Sequence, residues 1–160
     1  MLAPQIVAAA LATAALVVPT TAAAAQRATT PLGTAATVAH RYWRTVLCNG
    51  QIKVVAQAAV PAGLDPTTDA WVTFDSALGA NNLAAPANTY SNCTISFARW
   101  RWARSASMLD DWDILCTTMI HEMGHLLGRQ HDSTPGSVMA PVFTDHSSVP
   151  PACRAARPSR

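Results

Sequence analysis

Charged side chains are scarce in this chain of 160 residues, at 12% of the total, and they nearly balance, giving a net charge of +2. A balance this small gives no sign of a nucleic-acid partner. The four cysteines include no CxxC pair, which disfavours zinc binding by thiolates. After residue 25 the sequence has no apolar stretch near the roughly 20 residues that span a bilayer. We therefore expect no stable membrane association once a leader is removed.

Residues 1–25 are apolar and rich in alanine, with an apolar run from Ile6 to Val18 and small residues from Ala22 to Ala25. This pattern predicts a signal peptide over residues 1–25, although the usual basic residue near Met1 is missing. A membrane anchor is the alternative, but a run of about 13 residues is shorter than the roughly 20 that cross a bilayer. We expect a secreted, extracellular monomer with one domain over residues 26–153 and a disordered tail over 154–160.

Hydrophobic periodicity predicts an α+β fold. Apolar residues at helical spacing predict an amphipathic helix over residues 34–47. Patterns rich in β-branched or alternating residues predict strands over 51–57, 70–75 and 94–102, with a weaker signal for a short strand over 83–85. Within the last long strand, the alternation of residues 99–102 places Trp100 and Trp102 on one face and Arg99 and Arg101 on the other. We expect the tryptophans to pack on the core; an aromatic wall beside a cleft, or a cationic surface, is the alternative.

A 3.6-residue pattern from Trp112 to Leu127 predicts a central helix with one buried stripe. Asp110, Asp111 and Asp113 are expected in its first turn, where negative charge suits the helix dipole. Calcium binding by these carboxylates is the alternative, but the sequence offers too few further oxygen ligands to support it.

The cysteines form an even set in a chain with a predicted leader, which favours two disulfides. Four cysteines allow three pairings. Cys116 falls on the buried stripe of the central helix and can hold a segment packed below it. We therefore predict the pair Cys116 with Cys153, which leaves Cys48 with Cys93.

The most informative stretch of the sequence begins at His121. In a helix, His121 and His125 stand one turn apart on one face and can share a zinc ion. Gly128 can take the positive φ that turns the chain back, which brings His131 towards the same metal. Three imidazoles leave a fourth tetrahedral position for water, and Glu122 is placed to accept that water's proton.

The pattern HExxHxxGxxH from His121 to His131 resembles the signature of the metzincin metallopeptidases. Met139, eight residues after His131 and two before Pro141, is similar to the methionine turn of the matrixin branch. Matrixins usually have serine where this chain has Asp132, and tyrosine where it has Ala140.

The resemblance implies a zincin-like fold: a small, mixed, twisted sheet, an N-terminal helix, a central active-site helix and a short irregular C-terminal lobe. It places an antiparallel edge strand at residues 83–85 to pair with an extended protein or peptide substrate. It also implies that Met139 forms a floor under the imidazoles and that Pro141, Val142 and Phe143 wall a specificity pocket. Asp132 is a candidate for orienting a ligand imidazole.

Two functions are compatible with these residues. One is a secreted zinc endopeptidase in which Glu122 is the general base for a zinc-activated water. The other is a non-catalytic secreted protein, stabilised by disulfides and by a structural zinc ion, with Asp132 as a fourth ligand. Structural zinc sites normally have four protein ligands, so three histidines beside a glutamate favour the enzyme.

Overall fold

The computed structural model describes residues 30–142 and 149–159, so the predicted signal peptide lies outside the described residues. The elements are, in chain order, α1 (Pro31–Trp43), β1 (Ile52–Ala58), β2 (Ala70–Asp75), β3 (Ser91–Ala98), α2 (Arg99–Trp102), α3 (Ser105–Asp110), α4 (Trp112–Leu126) and α5 (Pro151–Ala155). This mixture confirms the α+β prediction. None of the helices in the described part of the chain has the length and apolar character needed to cross a membrane.

The N-terminal helix is confirmed, but it begins three residues and ends four residues earlier than predicted. Thr30 caps it by accepting a hydrogen bond from the Gly33 amide (3.1 Å), and Pro31 occupies the first turn, where a missing N–H costs nothing. The helix ends at Arg44, which adopts a left-handed φ of 52°. Its buried face carries Ala35, Val38 and Ala39 and packs against α4.

The sheet has the strand order β1-β3-β2, with β1 parallel and β2 antiparallel to the central strand β3. Ile95, which is fully buried, aligns with Val54 on one side and Val72 on the other. The edge strand predicted at residues 83–85 is wrong, because the Asn82 side chain accepts a hydrogen bond from the Ala84 amide (3.0 Å) and bends the chain into a turn. The antiparallel edge strand that precedes the active-site helix is β2 instead.

The strand predicted through residue 102 is also too long, because β3 ends at Ala98 and residues 99–102 form α2. Residues two apart face different directions on a helix, so Trp102 is fully buried whereas Trp100 is 54% exposed. Both indole N–H groups donate hydrogen bonds of 3.1 Å to the loop before β2. Trp100 donates to the Thr68 carbonyl and Trp102 to the Asp69 carbonyl. Arg101 does not face water freely, since it lies 3.3 Å from the Asp69 carboxylate.

The central helix begins later than predicted. Asp110 ends α3 and Asp111 is the N-cap of α4, so only Asp113 lies in the first turn. The predicted stripe is buried, except that Leu127 is only partly buried. Residues outside the stripe are buried as well, because α1 covers a second face of α4. The sequence pattern places His121 and His125 away from the core stripe, but His121 is only 6% exposed and His125 is half-buried; Glu122 is also only 6% exposed.

Two disulfides join Cys48 to Cys93 and Cys116 to Cys153, the pairs predicted from the sequence. The second bond ties α4 to α5, and the Trp112 indole reinforces it by donating to the Cys153 carbonyl (2.7 Å). Arg154, predicted to start a disordered tail, lies instead within α5 and donates to the Val149 carbonyl (2.7 Å). Pro151 at the start of that helix and the disulfide within it explain the added order.

Candidate metal centre

The last two turns of α4 carry His121 and His125 on the same side of the helix. Their ring centroids are 4.7 Å apart and their Nε2 atoms are 3.0 Å apart. Two ligands of a tetrahedral zinc ion, each bonded at about 2.0 to 2.1 Å, stand roughly 3.3 Å apart. The helix spacing therefore brings these nitrogens close to the separation that a shared ion requires.

A tight turn after α4 brings in the third histidine. Gly128 has a φ of 76°, and its amide donates to the His125 carbonyl (2.8 Å) while the Arg129 amide donates to the Gly124 carbonyl (3.0 Å). The chain then reverses, as expected for a glycine-terminated helix. The His131 ring centroid comes to lie 5.2 Å from that of His121 and 4.9 Å from that of His125.

The three imidazoles suit a metal ion in their donor atoms as well as in their positions. One ring nitrogen from each histidine lies within 4.8 Å of the others. The Nδ1 atoms of His121 and His125 lie 2.9 and 2.8 Å from the backbone carbonyls of Val138 and Arg129, which must accept from them. Such bonds place the proton on Nδ1 and leave Nε2 as the ligand, the arrangement common in zinc sites. The residues fit zinc.

Burial keeps two of these imidazoles neutral. Desolvation is the main cause that lowers the pKa of His121 to about 4; the neighbouring His125 and His131 act in the same direction, and the hydrogen bond to Val138 opposes them. Desolvation also lowers the pKa of His125. Because a metal ligand must be unprotonated, the site is prepared to bind a cation at neutral pH.

Glu122 follows the first histidine on α4 and is buried, at 6% exposure. Burial raises the pKa of its carboxyl from 4.5 to about 8. A buried carboxyl with a pKa near neutrality can both accept and release a proton under physiological conditions, which is what acid–base catalysis needs.

The methionine turn packs directly under α4. Met139 is 4% exposed, and its side chain fills the space beside Gly124, where an added Cβ would overlap the Met139 sulfur. Val138 supplies the carbonyl that orients His121, and the Met139 carbonyl accepts a hydrogen bond from the Asp132 amide (2.9 Å). The turn is therefore joined by hydrogen bonds to the first histidine and to the residue after the third.

Comparison with known proteins agrees with this arrangement. The family model described as Matrixin matches residues 33–151, which include the whole site. The chain belongs to the matrixin family. A 72 kDa type IV collagenase from Gallus gallus is 32% identical over 92 residues, covering 45% of this chain and 14% of the collagenase. The match therefore spans a small part of that relative. No solved structure matches this matrixin significantly.

Asp132, where this matrixin departs from the family pattern, organises the loop that follows the third histidine. Its carboxylate accepts hydrogen bonds from the amide (2.8 Å) and the hydroxyl (2.6 Å) of Thr134. Hydrogen bonds from the Thr134 hydroxyl and amide, and from Ser137, lower the pKa of Asp132. Its predicted contact with an imidazole stays a prediction.

The predicted pocket wall is only partly described. Pro141 and Val142 are exposed, the latter at 69%, and Phe143 lies outside the described residues. The specificity pocket of this matrixin at residues 141–143 therefore stays a prediction.

Several groups that shape the site were not foreseen from the sequence. The carbonyls of Val138 and Arg129 are backbone atoms, so no side-chain pattern marks them. Trp43 falls within the amphipathic pattern over residues 34–47, which gives no sign of a role at the site, although its indole donates to the Ile120 carbonyl (2.9 Å). Gly124 gave a usable signal, because glycine inside a helix often marks a close approach by another group.

Proposed function

We propose that this protein is a secreted zinc-dependent endopeptidase with His121, His125 and His131 as metal ligands and Glu122 as general base. The observation that carries the proposal is the convergence of three imidazole nitrogens within 4.8 Å, two of them from a helix that also carries a buried glutamate. Membership of the matrixin family, a family of metalloendopeptidases, supports the same reaction.

The three histidines would hold the ion, and two of them are fixed by hydrogen bonds to backbone carbonyls. Zinc bound there supplies Lewis-acid polarisation of the scissile carbonyl and activation of water. Met139 packs against Gly124, on the helix that carries the first two ligands.

Glu122 would accept the proton of the attacking water and deliver it to the nitrogen of the leaving amine. Its buried position supports this role, because a carboxylate whose pKa is raised to about 8 is a stronger base than an exposed one and takes up the proton of water more readily. Its position directly after His121 on α4 supports this role as well.

The substrate would bind as an extended peptide along β2. This strand is the antiparallel edge of the sheet. Near its end the amide and carbonyl of Phe74 already bond to Asn81, so a peptide would add along the part of the strand before Phe74. An extended segment can add to such an edge through main-chain hydrogen bonds. β2 also packs against α4, so a peptide on this edge would run near the helix that carries the base.

Secretion is supported by the apolar, alanine-rich residues 1–25 and by the two disulfides, which persist in oxidising environments. The alternative function, a non-catalytic protein with a structural zinc ion, requires a closed site. Among the described residues, the metal-binding group contains three histidines and no fourth protein ligand. An open position favours catalysis.

The test compares zinc-loaded wild-type protein with Glu122→Gln on a mixed peptide library. Glutamine keeps the size of the side chain but cannot accept the proton, so cleavage should fall by about 100-fold or more while zinc stays bound. Equal cleavage by both proteins, or none by a wild-type protein shown to hold zinc, would reject the peptidase and leave the structural-zinc alternative.

A further inference from the structure

Trp43, the last residue of α1, contacts the active-site helix just before its second histidine. Its indole donates to the Ile120 carbonyl (2.9 Å), and its Cζ2 atom lies 3.1 Å from the position that a Cβ on Gly124 would take. The ring therefore contacts α4 at Ile120 and at Gly124, the residue before His125. A larger residue than glycine at position 124 would push it off.

Arg129 lies in the turn after α4, and both its side chain and its backbone contact residues near the metal site. Its guanidinium carbon stands 4.7 Å from the centroid of the Trp43 ring, a cation–π distance. Its carbonyl accepts the hydrogen bond from His125 Nδ1 (2.8 Å). The residue that orients the imidazole thus rests its own side chain on the indole.

We infer that Trp43 and Arg129 act together as positioning residues for His125. The stack holds the turn so that the Arg129 carbonyl faces Nδ1, which turns Nε2 of His125 towards the metal. His131 follows Arg129 by two residues, so the same turn also sets the approach of the third ligand. The inference rests on the proposed metal site and adds to it two residues whose side chains need not touch the ion.

The expected effect is modest, because the Arg129 amide also anchors the turn through the Gly124 carbonyl (3.0 Å). Arg129 is exposed, and cation–π contacts at exposed sites are weak. Replacing Arg129 by leucine should therefore weaken zinc binding by about two- to fivefold. It should also alter the ligand-field absorption of the Co²⁺-substituted protein, because the angle of one imidazole changes.

The experiment measures zinc affinity of the full chain by competition with a chromophoric chelator, together with the Co²⁺ spectrum. Arg129→Leu is compared with Arg129→Lys, which keeps a cation for the indole, and with Arg41→Leu. Arg41 is exposed on α1 and carries the same charge, which makes it a matched control. We expect weaker binding and a changed spectrum for Arg129→Leu, partial recovery for Arg129→Lys, and wild-type behaviour for Arg41→Leu.

A double-mutant cycle tests whether the two residues act as a unit. Once Trp43→Leu has removed the ring, adding Arg129→Leu should cost little more. The inference is overturned if Arg129→Leu binds zinc as tightly as Arg41→Leu. It is also overturned if the losses in zinc affinity of Trp43→Leu and Arg129→Leu multiply in the double variant. Should Trp43→Leu fold poorly, the comparison of Arg129→Leu with Arg129→Lys still tests whether a cation at position 129 supports zinc binding. A wild-type protein that binds no zinc would overturn the proposed function as well, whereas one that binds zinc without peptidase activity leaves this inference standing.

Discussion

Gly124→Ala should destabilise the protein even though alanine is the better helix former. Inside a helix the exchange by itself stabilises by about 0.8 to 1 kcal/mol. Here the added Cβ would overlap the Met139 sulfur and lie 3.1 Å from both Met139 Cε and Trp43 Cζ2. Overpacking of this kind costs about 1 to 3 kcal/mol. We therefore expect a net loss of roughly 1 kcal/mol in the free energy of unfolding.

The sign of the effect should depend on Met139. In a Met139→Ala background the sulfur and methyl group are gone, so the overlap with them is relieved and only the contact with Trp43 remains. There Gly124→Ala should be close to neutral or stabilising by up to about 1 kcal/mol. The coupling energy between the two positions is the quantity that the packing argument predicts.

The assay is urea unfolding of the metal-free wild type, the two single variants and the double variant, followed by far-UV circular dichroism. Zinc affinity is measured in parallel, since a shift of Met139 and Trp43 should disturb the helix that carries His121 and His125. The reasoning is refuted if Gly124→Ala stabilises the otherwise unchanged protein, or if it costs the same with and without the Met139 side chain.

Three further predictions concern the buried glutamate, the C-terminal disulfide and the third histidine. Burial in the folded state raises the Glu122 pKa from 4.5 to about 8. Between these two pH values the folded protein holds a proton that the unfolded chain has lost, so stability falls as the pH rises. The free energy of unfolding of the metal-free protein should therefore fall by about 1 to 2 kcal/mol between pH 6.5 and 8. Denaturant unfolding across this pH range should show no such loss of stability for Glu122→Gln. A loss of equal size in that variant would mean that a group other than Glu122 causes it. Replacing Cys116 and Cys153 together by alanine opens a loop with a sequence separation of 37 and should cost about 2 to 5 kcal/mol by denaturant unfolding; an unchanged midpoint would contradict this. His131→Ala should weaken zinc binding by more than about 100-fold in a chelator competition, whereas His40→Ala, exposed on α1, should not; similar affinities for both variants would exclude His131 as a ligand.

The part of the site that could be predicted from the sequence depends on local geometry. His121 and His125 must meet in any helix, and Gly128 supplies a turn whose φ of 76° is a local property of that residue. The parts that could not be predicted depend on distant backbone atoms. The Val138 carbonyl contacts His121, 17 positions earlier in the sequence, and because the contact uses a backbone atom, the residue type at position 138 does not predict it.

The errors in the fold have a similar origin. Four alternating residues at 99–102 fit a strand, but the carbonyls of Thr68 and Asp69 offer partners for both indoles and favour a helical turn. Residues 83–85 carry only a weak strand signal, supported by the family resemblance, and the Asn82 side chain favours a turn there. In each case a hydrogen bond made outside the pattern outweighs the pattern itself.

The attachment of the C-terminal segment to α4 has a practical consequence for preparing the protein. Trp112 and Cys116 both depend on Cys153, one through a hydrogen bond to its carbonyl and the other through its sulfur. A version shortened before residue 150 would leave an indole donor unsatisfied and a thiol unpaired on the helix that carries the histidines. Production in an oxidising host compartment, with any affinity tag placed beyond residue 155, keeps both attachments intact.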